Sequence, residues 1–492
     1  MIFPSKPIFL ELAQQGNLIP VYREVISDLE TPISAFGKLE GQDHTFLLES
    51  VENGDRFARF SFVGYNPSVL FEMRGKTLKI TDHGVTTERE TEKDPLQELQ
   101  DLMARYKPVS FGQLPIFYGG AVGFLSYEAV RFFEPKVAVA RINDLDIPDA
   151  HFVVADTLLI FDHQERRLKI LVNAFVRDDA EKAYDEAVAK IDAVVEKLKQ
   201  PIQSSFLAPL KDVEAPDPDV NMSQSDYVIM TERMQEYIRA GDIFQVVPSQ
   251  RFSIPFKGEA IELYRALRFI NPSPYMFCLK MGDWAIVGSS PETHVRCENG
   301  KVEIRPIAGT RPRKAKPEQD DAMATELLND PKERAEHLML VDLARNDVGR
   351  VCEYDSVKVT DFMSIERYSH VMHIVSHVEG KLREGLSAYD VMKATFPAGT
   401  VSGSPKVRAM QIIAELEPTC RGLYAGAVGY FGFSGNLDSC ITIRTVLLKN
   451  GNAYVQAGGG LVADSTPLGE YQESVNKAKA CIKAVALAQS FK

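Results

Sequence analysis

Strand-like runs on both sides of a Pro-, Ser- and Asp-rich stretch constrain the fold most, because they never alternate with helices in the regular rhythm that a parallel sheet requires. FLLES, RFSFVG, HFVVADTLLIFD and LKILVNAF precede that stretch; FQVVPS, YMFCLK, WAIVGSS, KVEIRP, YAGAVGYFG, CITIRTVLL and AYVQAGG follow it. Their β-branched and aromatic residues suit a pleated, packed surface, so a largely antiparallel sheet is expected. No G-x-G-x-x-G follows a strand, which argues against a doubly wound nucleotide fold. A chain of 492 residues has room for roughly two or three average domains, or one large sandwich.

The clearest boundary follows a helix predicted over roughly Asp178 to Lys199, where Ala183, Val188, Ile191, Val195 and Leu198 recur at helical spacing. Residues 201–222 carry no sustained period and read as a surface linker between an N-terminal part, 1–200, and a C-terminal part, 223–492. Beyond it, Ser225 can cap a helix through Tyr227, Met230, Met234 and Ile238 that stops at Gly241. The formal charge of −12 argues against a nucleic-acid-binding surface. Six cysteines without C-x-x-C spacing suit a reducing cytoplasm. Pro4, Pro7 and Glu11 interrupt the N-terminal apolar residues, so neither a signal peptide nor a membrane span is expected.

Two distant stretches each place glutamates three residues apart, Glu333 and Glu336 in PKERAEHLML and Glu470 and Glu473 in GEYQESVNKAKA. Each pair shares a helix face; converging, they suit a hard cation such as Mg²⁺, and apart they are ordinary solvated faces. Glu292 follows a strand in GSSPETHV and is either a turn carboxylate or, half-buried, a proton donor. Arg444, inside the run ITIRTVLL, needs a partner, either a ligand carboxylate or an internal ion pair. Gly458 to Gly460 in AGGGLVADS allow close backbone approach to a ligand or a tight turn. Pro405 reads as a first helical residue after Ser404. His373 in SHVMHIVSH lacks the acidic or cysteine companions of a zinc site.

PIAGTRPR, AEHLMLVDLARNDVGRV, FPAGTVSGSPKVRAM, RGLYAGAVGYFG, SCITIRT and AGGGLVADSTPLGEYQESVNKA together resemble the chorismate-utilising enzymes, most closely the branch that forms anthranilate. The resemblance covers nearly the whole chain. It implies an α+β fold, a two-layer, mainly antiparallel β-sandwich surrounded by helices. By the same resemblance, Glu336 and Glu473 hold Mg²⁺, with Glu333 and Glu470 as outer carboxylates. Lys477 and the backbone of Gly458, Gly459 and Gly460 meet the ring carboxylate of chorismate, and Tyr424 and Arg444 its enolpyruvyl carboxylate. Glu292 is the general acid for the departing hydroxyl, while His373 and Thr400 lie near the reacting ring.

Two departures select among the chemistries of this family. Relatives that add water carry a lysine where this chain has Gln245, whose amide is no base. Relatives that form aminodeoxychorismate commonly carry a lysine nucleophile where this chain has Ala308. The resemblance therefore implies direct amination by ammonia, with aminodeoxychorismate formation as the alternative. No cysteine stands in a G-x-C-x-G turn, so a separate glutamine amidotransferase subunit is the expected ammonia source. Glu49 and Ser50 in LLES, and Asn271, Pro274, Tyr275 and Met276 in NPSPYMF, resemble the segments that bind tryptophan as feedback inhibitor.

Overall fold

The computed structural model describes residues 1–39, 44–50, 59–138, 142–202, 213–368 and 371–491. Residues 203–212 of the expected linker lie outside that set. Among the described residues, two twelve-stranded sheets dominate, beside a separate two-stranded ribbon of Gln245–Val246 with Gly403–Ser404. Neighbouring strands run antiparallel, including the two pairs that join distant parts of the chain. The fold is therefore the α+β sandwich that the family resemblance implied.

Both halves of the chain build both sheets. In the first sheet, Phe46–Glu49 lies beside Tyr275–Met281, with Met276 opposite Glu49. In the second, Gly120–Leu125 lies beside Ala427–Gly432. Strand alternation sorts side chains between layers. Tyr275, Phe277, Leu279 and Met281 point between the sheets, while Met276 and Cys278 face the helices. The inter-sheet layer includes Val122, Phe124 and Val153 from one sheet and Ile160, Ile286 and Leu447 from the other. Trp284, the chain's only tryptophan, meets Phe124 edge-on at 5.7 Å. Each such fully buried side chain contributes roughly 1.5–3 kcal/mol of transfer free energy.

Helices cover the outer faces. Ala180–Leu198, Ala260–Ile270 and Pro467–Gln489 pack on the first sheet and Pro331–Gly349 on the second, while Gln224–Arg239 lies beside Pro467–Gln489 and Lys406–Leu416 against the two-stranded ribbon. The Ala180–Leu198 helix begins at Asp179, whose carboxylate accepts the N–H groups of Glu181 and Lys182. Two expected helix starts differ. Ser223, not Ser225, caps Gln224–Arg239, because only Ser223 sits three residues before Asp226, whose N–H its hydroxyl accepts. Pro405 is the cap before Lys406–Leu416, not its first helical residue, because Ser404 is held in the ribbon opposite Gln245. No described helix is long and apolar enough to cross a membrane.

Candidate active site

Two neighbouring strands cross from one sheet to the other at the same level, and the crossings carry chemistry. Trp284–Ser290 passes through Pro291 and Glu292 into Thr293–Glu298, while Leu437–Ile441 passes through Arg444 into Thr445–Lys449. Backbone and hydroxyl groups lace them together. Ile441 N–H donates to Glu292 O at 3.0 Å, Ser290 Oγ to Ile441 O at 2.6 Å and Ser289 N–H to Arg444 O at 3.1 Å. Arg444 is thus not inside a strand, as ITIRTVLL suggested, but at the corner, with φ of +51°. The apolar run is continuous because both flanking strands are buried, although in different sheets. Its guanidinium has no carboxylate partner among the described residues, which leaves it available to an anion.

Glu292 lines a cavity with Thr400, Gly399 and Leu343. Burial pushes its carboxyl up to about 7; the Thr400 hydroxyl and the charges of Lys477 and Arg444 hold the shift down. Thr400 Oγ1 is buried in the same lining, beside that carboxyl but outside strict hydrogen-bond geometry with any described residue. A carboxyl that is still half-protonated near neutrality is suited to donating a proton.

The glycine run closes the opposite side. Gly458 ends strand Asn452–Gly458, and Leu461 N–H donates to Val246 O at 2.8 Å, which fixes the glycines beside Gln245. Side chains crowd against all three. A Cβ on Gly458 would stand 3.0 Å from Tyr424 Oη, one on Gly459 2.5 Å from Glu470 Oε2, and one on Gly460 2.7 Å from Gln245 Nε2. Lys477, on Pro467–Gln489, donates to Gly458 O at 3.0 Å and pairs with Glu473 at 2.6 Å. Tyr424 is buried, and burial pushes its phenol up to about 12, so it is a hydrogen-bond donor at working pH.

His373 stands on strand Val371–Lys381. Its Nδ1 lies 2.8 Å from Gly309 O, an acceptor only, so Nδ1 carries the proton and Nε2 keeps its lone pair. Burial lowers its pKa, keeping the ring neutral around pH 7. A neutral imidazole with a free Nε2 is a base.

The two glutamate-bearing helices approach the glycine run, with Glu470 and Glu473 beside Gly459, Glu336 beside Gly460 and Glu333 beside Gly309. Burial raises Glu336, and the charges of Glu333 and Glu473 add to the effect; burial and then Glu473 raise Glu470. Glu336 Oε1 accepts from Gln245 Nε2 at 3.4 Å, which places the two helices' carboxylates around the glycine run. Glu333 is already paired with Arg311 at 3.1 Å, which suits an outer position. Glu470 Oε2 is buried with no hydrogen-bond partner among the described residues, and Gly459 leaves it room that any side chain would take. An orphaned carboxylate oxygen beside further carboxylates fits a hard divalent cation. Among the described residues, the tightest acidic and histidine cluster lies elsewhere, at Glu303, His377 and Glu379. There Lys301 already bridges Glu303 at 2.5 Å and Glu379 at 2.6 Å, so it is an ion-pair network.

The candidate inhibitor residues gather at the seam of the first sheet. Glu49 is buried, accepts from Tyr264 Oη and pairs with Arg268 at 3.3 Å. Ser50 Oγ is buried without a partner among the described residues, and Asn271 Nδ2 donates to Ser289 Oγ at 3.1 Å. Pro274 is half-buried at the start of the strand that carries Met276 opposite Glu49. Tyr275 points the other way, between the sheets, and donates to Asp438 Oδ1 at 2.8 Å.

Sequence reading passed over Arg421 and Glu417, which form a buried ion pair at 2.7 Å beneath Tyr424. Their i, i+4 spacing in EPTCR was visible, but nothing in it signalled burial. Arg311, the partner of Glu333, was missed because the two are close only in space.

A corner-crossed antiparallel sandwich here places an acid, a guanidinium without a carboxylate partner among the described residues, and carboxylates around a glycine cradle, groups chemically suited to a small anionic ligand. The sequence profile of the chorismate binding enzyme family matches residues 44–483, and the chain belongs to that family. It is 47% identical to anthranilate synthase component 1 of Pseudomonas putida over 98% of both chains. It is 46% identical to the protein of the same name from Acetivibrio thermocellus over 99% of both. The crystal structure of anthranilate synthase component I from Streptococcus pneumoniae superposes with a TM-score of 0.77 at 39% identity, covering 93% of this chain and 99% of that one.

Proposed function

We propose that this chain converts chorismate and ammonia to anthranilate and pyruvate, as the large subunit of a two-component anthranilate synthase. The observation that carries the reading is Glu292, held near neutrality as an acid in a pocket where the side chain facing the glycine cradle is the amide of Gln245. Full-length likeness to proteins named anthranilate synthase component 1 supports it.

Chorismate binds with its enolpyruvyl carboxylate on Arg444 and the Tyr424 hydroxyl. Lys477 and the Gly458–Gly460 backbone receive the ring carboxylate. Glu336 and Glu473 would hold Mg²⁺, with Glu333 and Glu470 outside them; when bound, it offsets the charge of the ring carboxylate. Ammonia attacks the ring carbon adjacent to the carboxylate-bearing carbon, both ring double bonds shift by one position, and Glu292 protonates the departing hydroxyl so that it leaves as water. His373 Nε2 then takes the proton from the aminated carbon, the ring–oxygen bond breaks, and the released enolpyruvate gains a proton to become pyruvate. Thr400, facing Glu292, biases the acid. Gln245 supplies no base for water addition, and Ala308 no nucleophile for the aminodeoxychorismate route.

Ammonia is delivered by a glutamine amidotransferase partner, consistent with the absence of a nucleophile-turn cysteine in the sequence. Tryptophan binds at the seam, its ammonium on Glu49 and Ser50, with Asn271, Pro274 and Met276 around it; the Tyr275 ring faces away from that side of the strand. The enzyme works in the cytoplasm.

The test is the purified chain with chorismate, Mg²⁺ and ammonium at mildly alkaline pH, with products separated chromatographically. Fluorescent anthranilate is expected. Aminodeoxychorismate, isochorismate or unchanged chorismate would overturn the proposal.

A further inference from the structure

The buried guanidinium of Arg421 touches no substrate position, yet it holds the backbone on which several substrate-facing groups stand. Its Nε and Nη2 donate to Glu417 at 2.8 and 2.7 Å, a bidentate pair, while Nη1 donates to Val401 O at 2.8 Å and Nη2 to Val247 O at 2.5 Å. Val401 directly follows Thr400, and Val247 lies two residues after Gln245. Glu417 Oε1 also accepts the N–H and hydroxyl of Ser249, both at 2.9 Å, and Ser249 is the register partner of Gly458. The guanidinium stacks 5.4 Å from the Tyr424 ring and 4.8 Å from that of Tyr127. Beneath it, the Glu128 carboxylate accepts the N–H groups of Arg421 and Gly422 at 2.7 and 2.9 Å.

One planar fork thus ties together the loops of Gln245 and Thr400, the strand opposite Gly458 and the ring of Tyr424. Resting on the anthranilate-forming reading, we propose that Arg421 is a positioning residue, which sets the Thr400 hydroxyl against Glu292 and Gln245 against the glycine cradle through its bonds to Val401 O and Val247 O. Lysine cannot replace it: an ammonium can keep one contact to Glu417 but cannot present five donors in one plane. Arg444 and Lys477 bind chorismate independently of this fork, whereas Tyr424 and the strand opposite Gly458 rest on it, so its loss falls mainly on turnover and to a smaller extent on affinity.

The experiment follows chorismate consumption by the full chain with Mg²⁺ at constant free ammonia, for the unmodified protein, Arg421→Lys and the milder Glu417→Gln. Folded protein is quantified by circular dichroism and thermal unfolding. Per folded molecule, Arg421→Lys is expected to lose at least tenfold in kcat with KM for chorismate within threefold. Its alkaline limb should move to higher pH, because Thr400 no longer favours the Glu292 carboxylate over the neutral acid while Lys477 and Arg444 still do. Glu417→Gln, which loosens the same fork, is expected to show a smaller loss in kcat and the same direction of shift. If Arg421→Lys fails to fold, the Glu417→Gln result decides. Lower stability with unchanged kcat and pH limb would show a purely structural role and overturn the proposal. No consumption by the unmodified protein would overturn both this proposal and the reading beneath it; consumption with unaltered variants would overturn this one alone.

Discussion

Glu292→Gln should make the protein more stable while disabling it, and the gain should depend on pH. In the unfolded chain the carboxyl ionises near 4.5; burial at the sheet crossing delays this to about 7. Between those values the folded protein retains a proton that the unfolded chain has released, so stability falls as pH rises through the window and levels off above it. The full penalty is roughly 3 kcal/mol at pH 8 and about half that at pH 5.5. Glutamine has the same shape and no such penalty. With about 2.1 cal/mol/K of unfolding entropy per residue, a chain of 492 residues gains about 3 °C in Tm at pH 8 and about half that at pH 5.5. Differential scanning calorimetry across this range measures the gap, and chorismate consumption at constant free ammonia should fall by about 10²–10⁴. In the unmodified enzyme kcat/KM should decline as pH rises through about 7, as Glu292 loses its proton. A Tm gap that does not widen between pH 5.5 and 8 would refute the argument, because the carboxyl would then ionise alike in both states.

Glu473→Gln should abolish Mg²⁺-dependent turnover; near-normal activity with Mg²⁺ titrated over a wide range would sink the carboxylate assignment. Arg444→Lys replaces a fork by a point charge and should raise KM for chorismate by roughly 10–100-fold, read from initial rates, since charge-assisted hydrogen bonds are worth about 1.5–3 kcal/mol. Tryptophan should inhibit the unmodified chain, and Glu49→Gln should weaken that inhibition about tenfold or more for the same reason. An unmodified enzyme indifferent to saturating tryptophan would remove the regulatory site.

Period and capping made individual elements legible, whereas their assembly was not. The helix of Ala180–Leu198 could be read from its apolar spacing and Asp179. HFVVADTLLIFD and ITIRTVLL each look like one buried strand, but each is two strands in different sheets, turning at Asp156 and Arg444. A continuous apolar run records burial and carries no mark of the sheet it is buried in. The glutamate spacing showed that each pair shares a helix face, while the approach of the two helices to Gly459 and Gly460 joins residues more than a hundred positions apart, and only the resemblance between whole motifs anticipated it. The Arg421 fork left only the i, i+4 spacing of its ion pair as a local trace, since the other two of its four acceptors are backbone carbonyls, which any residue provides.

The shared sheets bear on how such a chain can be divided. Cutting it in the segment between helix Ala180–Leu198 and helix Gln224–Arg239 would leave each piece with two raw edges, Phe46–Glu49 and Gly120–Leu125 on one, Tyr275–Met281 and Ala427–Gly432 on the other. Buried edge strands stripped of their partners seek new ones, so either piece made alone is a template for self-association. Made together, each supplies the complement that the other lacks. The N-terminal half is thus not an appendage that could be lost or exchanged while the catalytic half persists. Any lineage that shortened it would have had to rebuild both sheets, and the two halves are bound to change in step.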